Sequence, residues 1–305
     1  MKLEGIHHIT AITENAQRNV DFYAGVLGLR LVKKTVNQDN PTVYHLFFAD
    51  EAGDPGSDLT FFEYPGAARG RPGAGMVHRV VWRVASTEAL DFWAERLRAN
   101  GTESERGGES LVFSDPEGLD HELAVVEVPD RALIADHPEV PAEMALQGFH
   151  AVRAYAASPQ VSSGLLEALE FEQVDGAWEA RGSSRGGLYV YDEPPPERGL
   201  QGAGSVHHVA WASTPEELLD WREKAQAGGA QPTPEIDRFY FRSIYFREPS
   251  GVLFEIATLG PGFTVDEPVE HLGEKLSLPP DYEHLREEVE PKLRPVSNPR
   301  VQAQG

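Results

Sequence analysis

The sequence predicts an α+β protein of four βαβββ modules arranged in two halves, on three observations. Four segments begin alike: Gly5-Ile6-His7-His8-Ile9-Thr10, Met76-Val77-His78-Arg79-Val80-Val81-Trp82, Gly148-Phe149-His150-Ala151-Val152 and Ser205-Val206-His207-His208-Val209-Ala210-Trp211. Each start leads into a helix signal and then into strand-like runs. The closing strand recurs too: Gly251-Val252-Leu253-Phe254-Glu255 matches Gly118-Leu119-Asp120-His121-Glu122, glycine to glycine and glutamate to glutamate. Aligned on the starts, His8, Arg79, His150 and His208 fall at one equivalent position, at intervals of 71, 71 and 58 residues. A unit of that size holds a helix and several strands, unlike the repeat of a helical solenoid.

Helices follow each start. Val20, Tyr23 and Leu27 form an apolar stripe at i, i+3, i+7, and Gly28 stops it. In the second module Ser86 is the N-cap, Leu90, Trp93 and Leu97 make the stripe, and Asn100-Gly101 ends it. In the third, Ser158-Pro159 puts proline at the first helical position ahead of Leu165, Leu166 and Leu169. In the fourth, Thr214-Pro215-Glu216-Glu217 reads as a capping box before Leu218, Trp221 and Ala225, with Gly228-Gly229 as the stop.

Strand runs come next: 43–48 and 59–62, 111–113 and 122–126, 178–180 and 188–191, then 239–241, 244–246 and 252–256. The stretch from Asp130 to Met144 is rich in proline, alanine and acid. It separates an N-terminal half, residues 1–130, from a C-terminal half, residues 145–260. Residues 261–305 form a polar tail with one helix near Tyr282 to Val289, and disorder is expected from Pro295.

Composition narrows the function. The net charge of −22 argues against nucleic acid and anionic membranes as partners. No apolar run approaches the ~20 residues of a membrane span. The N-terminus has no signal-peptide pattern, so a cytoplasmic location is expected. With no cysteine among 305 residues, any metal site must use His, Asp or Glu, which favours Fe, Mn, Zn, Ni or Co.

The repeats carry candidate ligands. A carboxylate inside an apolar strand such as Leu253-Phe254-Glu255-Ile256 needs a partner, because burying it alone is costly. For Glu122, Arg79 offers an ion pair. For Glu255, His208 points to a metal. Two neutral imidazoles and a carboxylate make the facial triad of a non-haem Fe(II) site, with positions left for a chelating substrate and O₂. Two triads fit: His8, His208 and Glu255, or His150, His208 and Glu255.

The chain resembles the vicinal-oxygen-chelate superfamily and, within it, the hydroquinone ring-cleaving dioxygenases. The resemblance rests on His7-His8-Ile9-Thr10, on Tyr44-His45-Leu46-Phe47-Phe48-Ala49-Asp50-Glu51 with Gly53-Asp54-Pro55-Gly56, and on Gly148-Phe149-His150. It continues through Tyr245-Phe246-Arg247-Glu248-Pro249-Ser250-Gly251 into Phe254-Glu255, and through Gly262-Phe263-Thr264-Val265-Asp266-Glu267. It covers almost the whole chain.

The resemblance implies curved, barrel-like mixed sheets. It implies His8, His208 and Glu255 as metal ligands, with His7, Thr10, His207, Arg238 and Tyr245 around the metal and His150 structural. Fe(II) is the implied ion, with Mn(II) the alternative. A small aromatic diol and O₂ are the implied substrates, hydroquinone type over catechol, and a homo-oligomer is allowed. For His7 and His207 to share a pocket with their neighbours, the strands need a bulge or an end at each pair, because ideal strands alternate faces. His7 or His207 would then take the phenolic proton, and Arg238 or Tyr245 would hold the developing negative charge. Phe239, Phe241, Phe246 and Trp211 are candidates for aromatic walls.

Two other functions fit the scaffold. One is a glyoxalase-like metal lyase or isomerase with four protein ligands; Glu63 is the candidate fourth, although its place just before Pro65 reads better as a strand-end surface acid. The other is a binding protein for small aromatics in which no metal acts.

Overall fold

The computed structural model describes residues 1–299. The first module comprises β1 (Ile6–Thr13), α1 (Ala16–Val20, continued by a π-helical turn to Val26), β2 (Arg30–Asn37), β3 (Asn40–Ala49) and β4 (Asp58–Glu63). The second comprises β5 (Met76–Val84), α2 (Thr87–Ala99), β6 (Ser104–Gly107), β7 (Ser110–Ser114) and β8 (Asp120–Val125). The third is β9 (Phe149–Tyr155), α3 (Ser163–Ala168), β10 (Glu172–Val174), β11 (Ala177–Arg181) and β12 (Gly186–Asp192). The fourth is β13 (Val206–Ser213), α4 (Leu218–Ala227), β14 (Ile236–Asp237), β15 (Arg242–Arg247) and β16 (Leu253–Thr258). A short helix, α5 (Arg286–Val289), lies in the tail.

The modules form two curved, mixed, eight-stranded sheets. One runs β14-β15-β16-β13-β1-β4-β3-β2 and joins the first module to the fourth. The other runs β10-β11-β12-β9-β5-β8-β7-β6 and joins the third to the second. In each, the two opening strands pair antiparallel at the centre, β1 with β13 and β5 with β9.

Alternation sorts the side chains of the first sheet. Ile9, Val209, Trp211, Phe254 and Ile256 face the main core, with Val20, Leu90, Trp93, Leu166 and Trp221 of the helices. Ala210, Ala257, Phe47 and Phe241 belong to a smaller apolar cluster on the opposite face. Two buried carboxylates stitch the sheets together. Asp115 accepts from the Tyr23 hydroxyl at 2.9 Å and from two backbone N–H groups of its own turn. Glu248 accepts from Tyr189 and Tyr191, each at 3.2 Å, and from Ser162. Each acid therefore lies in one sheet's module and grips the other sheet's module. The tail crosses the first sheet, where the fully buried Lys33 pairs with Asp266 at 2.7 Å and with Glu267.

Several expectations change. The first strand after each helix, β2, β6, β10 and β14, has no apolar run of the usual kind. Three of these strands are two to four residues long. Phe239-Tyr240-Phe241 is a turn, with Phe239 at φ +70°, and not a strand. Thr214 does not cap its helix with its side chain; a 3₁₀ turn at Pro215–Glu217 leads into α4. Past Pro295, Val296 packs on the core and the Ser297 N–H donates to Gln17 Oε1 at 2.7 Å, so this stretch is docked; residues 300–305 lie outside the described residues. Among the described residues, no helix is long and apolar enough to cross a membrane.

Candidate metal centre

The site begins with two β-bulges. Ile6 pairs with Trp211 and His8 with Ala210, which leaves His7 as an extra residue. Thr10 pairs with His208 and Ala11 with Val206, which leaves His207 extra. A bulge breaks alternation locally. Ile6 and Ile9 thus both reach the main core, as do Val206 and Val209, although each pair is three residues apart. Both histidines of a pair then turn to the other face.

Each pair is locked ring to ring. His7 Nδ1 lies 2.9 Å from His8 Nδ1, and His207 Nδ1 lies 2.8 Å from His208 Nδ1. His7 Nε2 is 3.1 Å from the Thr258 carbonyl oxygen, which only accepts, so His7 carries its hydrogen there. Burial, reinforced by His8, lowers the His7 pKa to about 3 and keeps the ring neutral. Its Nδ1 is therefore an acceptor, the shared hydrogen sits on His8 Nδ1, and His8 Nε2 presents a lone pair. On β13 no carbonyl holds His207 Nε2; His208 Nε2 presents a lone pair when His208 Nδ1 donates to His207 Nδ1, as His8 does to His7.

Those two lone pairs converge with a carboxylate. His8 Nε2 and His208 Nε2 are 3.3 Å apart. Glu255 Oε2 lies 2.8 Å from the His208 nitrogen and 3.2 Å from the His8 nitrogen. Glu255 is fully buried, its Oε1 accepts from the Ser243 hydroxyl, and its Oε2 is left without a hydrogen-bond partner. Burial opposes ionisation of this carboxyl, and positive charge placed at His8 and His208 outweighs burial and holds its pKa well below the usual range. Three donor atoms aimed at one point repel one another unless a cation sits among them. A proton bridges two of the three, whereas a divalent ion bridges all three.

The triad opens into a cavity of about 510 Å³ between β1, β3, β4, β13 and the turn before β15. Phe47, Phe62, Tyr64, Tyr240 and Phe241 supply its aromatic walls. His207 stands exposed in the wall, with its Nε2 free of hydrogen-bond partners among the described residues. Burial, then His208, lowers its pKa to about 4, so it is neutral near pH 7. Tyr245 lies opposite Glu255 in register, and its hydroxyl accepts from Arg238 Nε at 3.3 Å. Burial is the largest influence on both. It raises the Tyr245 pKa, and it opposes the Arg238 charge, which Tyr245 and Asp39 more than restore. Thr10 Oγ1 is 2.8 Å from Thr60 Oγ1, which is 2.9 Å from His45 Nε2.

Of the residues singled out in sequence, His8, Thr10, His207, His208, Arg238, Tyr245 and Glu255 meet at this cavity. His7 lies behind His8, with both ring nitrogens engaged and no place in the cavity wall. Of the four aromatics expected, Phe241 lines the cavity, while Trp211 and Phe246 belong to the main core and Phe239 flanks the smaller cluster. Sequence reasoning missed His45, Thr60, Phe47 and Phe62.

Two further expectations need correction. His150 is in the second sheet. There Trp82 pairs with Phe149 and Val81 with Ala151, so His150 is itself the extra residue of a bulge. Its structural equivalent is His7, and Ala151 is the equivalent of His8. Glu63 is neither a surface acid nor part of the cavity wall: it is buried, and its carboxylate accepts from the Ala16 N–H at 3.0 Å, at the start of α1. The register position matching Glu255 in the first module is Thr60, since Thr10 pairs with Thr60 as Ala210 pairs with Glu255.

Paired βαβββ modules that aim two imidazoles and a carboxylate into an aromatic cavity define a class of metal-site enzymes that bind small oxygenated molecules. Comparison with known proteins narrows the class. The family model described as the Glyoxalase/Bleomycin resistance protein/Dioxygenase superfamily matches residues 5–123 and 148–256. A Bacillus subtilis (strain 168) protein named as the ring-cleaving dioxygenase MhqO is 44% identical over 304 residues, spanning 96% of this chain and 97% of that one. A chlorohydroquinone/hydroquinone 1,2-dioxygenase of Sphingobium indicum is 34% identical over 324 residues, spanning 98% of each. The crystal structure of a dioxygenase-like protein from B. subtilis subsp. subtilis str. 168 superposes with a TM-score of 0.90 at 41% identity, covering 97% of this chain and 98% of that one. The chain belongs to the glyoxalase/dioxygenase superfamily and, within it, to the ring-cleaving dioxygenases.

Proposed function

We propose that this enzyme uses Fe(II), with Mn(II) as the alternative ion, to cleave the ring of a hydroquinone-type diol with O₂. The observation that carries the reading is the convergence of His8 Nε2, His208 Nε2 and the unpartnered Glu255 Oε2 in a buried, aromatic-walled cavity. These three residues would hold the ion. Bound there, Fe(II) supplies the redox chemistry that brings ring and O₂ together.

The rest falls to the chain. Phe47, Phe62 and Phe241 offer apolar surface to a ring and exclude water from it. His207 is neutral and its Nε2 is free of partners at the cavity wall; with His208 Nε2 committed to a metal, that nitrogen would carry the hydrogen and donate it to the phenolic oxygen. His7 acts as a positioning residue: its Nδ1 fixes the tautomer of His8, and the Thr258 carbonyl fixes its own. The Tyr245 hydroxyl, which accepts from Arg238 Nε and keeps its own hydrogen to donate, is the group for negative charge that develops on oxygen. Thr10 and His45 line the wall, and both are hydrogen-bonded to the buried Thr60 behind them. The kinship with hydroquinone-cleaving enzymes favours the para-diol over a catechol.

The decisive experiment loads the protein with Fe(II) under argon, measures bound metal, and follows O₂ uptake with a panel of hydroquinones and catechols. Stoichiometric iron and O₂ consumption with a hydroquinone are expected. Turnover that persists without O₂ would remove the dioxygenase assignment in favour of a lyase or isomerase.

A further inference from the structure

We propose that Asp39 makes the cavity select uncharged aromatic rings over carboxylated ones, by occupying the one cationic side chain in its wall. The inference rests on the reading above and narrows its substrate class to diols without an acidic substituent.

Arg238 is the only lysine or arginine among the described residues that line the cavity. The other ionised side chains there are Asp39 and Glu255, both acids. Arg238 has two edges with which to grip an anion, and both are engaged. Its Nη1 and Nη2 donate to the two Asp39 oxygens at 3.2 and 3.1 Å, the geometry that a substrate carboxylate would otherwise adopt. Its Nε donates to the Tyr245 hydroxyl at 3.3 Å.

The pair is built into the fold. Asp39 sits in the turn between β2 and β3, where its N–H donates to Asn37 Oδ1 at 2.9 Å. The neighbouring Gln38 side chain donates to the Arg238 carbonyl at 2.8 Å, and Tyr282 donates to the Gln38 carbonyl at 3.0 Å. The first module thus delivers a carboxylate to a guanidinium of the fourth, across the cavity mouth. An anionic ring would have to displace Asp39 from Arg238, whereas a neutral ring leaves the pair intact. Selectivity of this kind comes from a penalty on the wrong ligand.

The test uses 4-hydroxybenzoate and its neutral isostere 4-hydroxybenzamide, which share a ring and phenol; any ligation of iron by the carboxylate is common to wild type and variants and cancels in the shift of their Kd ratio. Their Kd values are measured under argon by calorimetry on the Fe(II)-loaded enzyme, for the wild type, Asp39→Asn and Asp39→Ala. Asp39 is 73% exposed, so neither substitution opens the core. The wild type is expected to favour the amide. Both variants are expected to shift the Kd ratio toward the benzoate by tenfold or more. A shift below fivefold in either variant overturns the proposal, and a shift confined to Asp39→Ala assigns the effect to space and overturns it as well. These Kd values do not depend on turnover. If wild-type enzyme consumes no O₂ with hydroquinone while the ratio still shifts, ring cleavage is wrong and charge selection stands.

Discussion

The two sheets are built on one plan and differ in what fills it. Each centres on a pair of antiparallel opening strands with two bulges, at His7 and His207 in one and at His78 and His150 in the other. Each carries a glutamate at the same register, Glu255 opposite Ala210 and Glu122 opposite Val81. In the second sheet the His208 position holds Arg79 and the His8 position holds Ala151. Arg79 brings its own positive charge and pairs with Glu122 at 3.1 Å. The flanking His78 lies 2.8 Å from Asp192, which also binds Arg153. In the first sheet the acid meets two lone pairs and no cation. The same fold is closed electrostatically by an arginine in one place and left needing an ion in the other, so residue identity and not architecture makes the site.

The largest effect should come from the two equivalent glutamates. Glu255→Gln keeps the shape and removes the charge that balances a divalent ion. Bound metal should fall below a tenth of stoichiometric, and turnover should drop on the order of 10³-fold, as expected when a ligand at the reacting centre is lost. Glu122→Gln should leave metal content at the wild-type level. Metal analysis of both variants after Fe(II) loading checks the contrast, and equal loss from the two would erase it. His208→Arg copies the second sheet's solution into the first and should give a folded, metal-free protein.

The next effect separates two histidines that are equivalent by module. His7 is buried, with Nε2 committed to Thr258; His207 is exposed, with Nε2 free. His207→Ala should keep its iron and lose turnover by roughly 10²-fold, the scale of a general acid–base group. His7→Ala should weaken iron binding by roughly 10- to 100-fold, because it frees the His8 ring. If His207→Ala loses iron as readily as His208→Ala, the division of labour between the paired histidines is wrong.

Much of this contrast was legible in the sequence. The repeats pointed to His208 and Glu255 with either His8 or His150, the family resemblance selected His8, and Arg79 pointed to the ion pair with Glu122. The bulges were harder to see, because strict alternation sends neighbours to opposite faces. A signal was present all the same: Ile6 and Ile9, Val77 and Val80, Phe149 and Val152, and Val206 and Val209 are all spaced by three, and all reach the core. That spacing inside a strand means one extra residue, and it would have aligned His150 with His7 instead of His8. Sheet partners were not legible, since pairing the first module with the fourth depends on contacts some two hundred residues apart. Thr60 and His45 went unseen because a threonine and a lone histidine in strands look like ordinary sheet residues.

One contact between the sheets, that of Asp115 with Tyr23, can be read by pH. Burial raises the Asp115 pKa to about 6, above its value in an unfolded chain, so the folded state holds this proton more tightly. That contribution to stability is full below the unfolded pKa near 4 and is lost as the pH rises through about 6. Asp115→Asn removes the titration. Between pH 7 and pH 5 the wild type should therefore gain about 1.5 kcal/mol of unfolding free energy relative to the variant. Urea titrations at both pH values measure the difference, and a gap that does not change with pH would show that Asp115 is ionised throughout.

The smallest effect concerns the asymmetry inside the first sheet. The fourth module gives the site a histidine and a glutamate, whereas the first gives His8 and, at the glutamate's register, Thr60. Thr60 holds the hydroxyl of Thr10 at 2.8 Å and the ring of His45 at 2.9 Å, so this corner of the cavity is neutral and hydrogen-bonded. Thr60→Glu would place a second carboxylate where the pseudo-symmetry of the two modules aims it at the triad. A fourth protein ligand should tighten divalent metal binding by about tenfold, worth about 1.4 kcal/mol, and should slow O₂ uptake by filling a position that substrate needs. Competition with a chelator of known affinity gives the first number, and O₂ uptake gives the second. Weaker metal binding in this variant would mean that register equivalence on the strands does not carry over to the coordination sphere. The open side of the metal would then be set by the His45 and Thr10 contacts instead of by the absence of an acid.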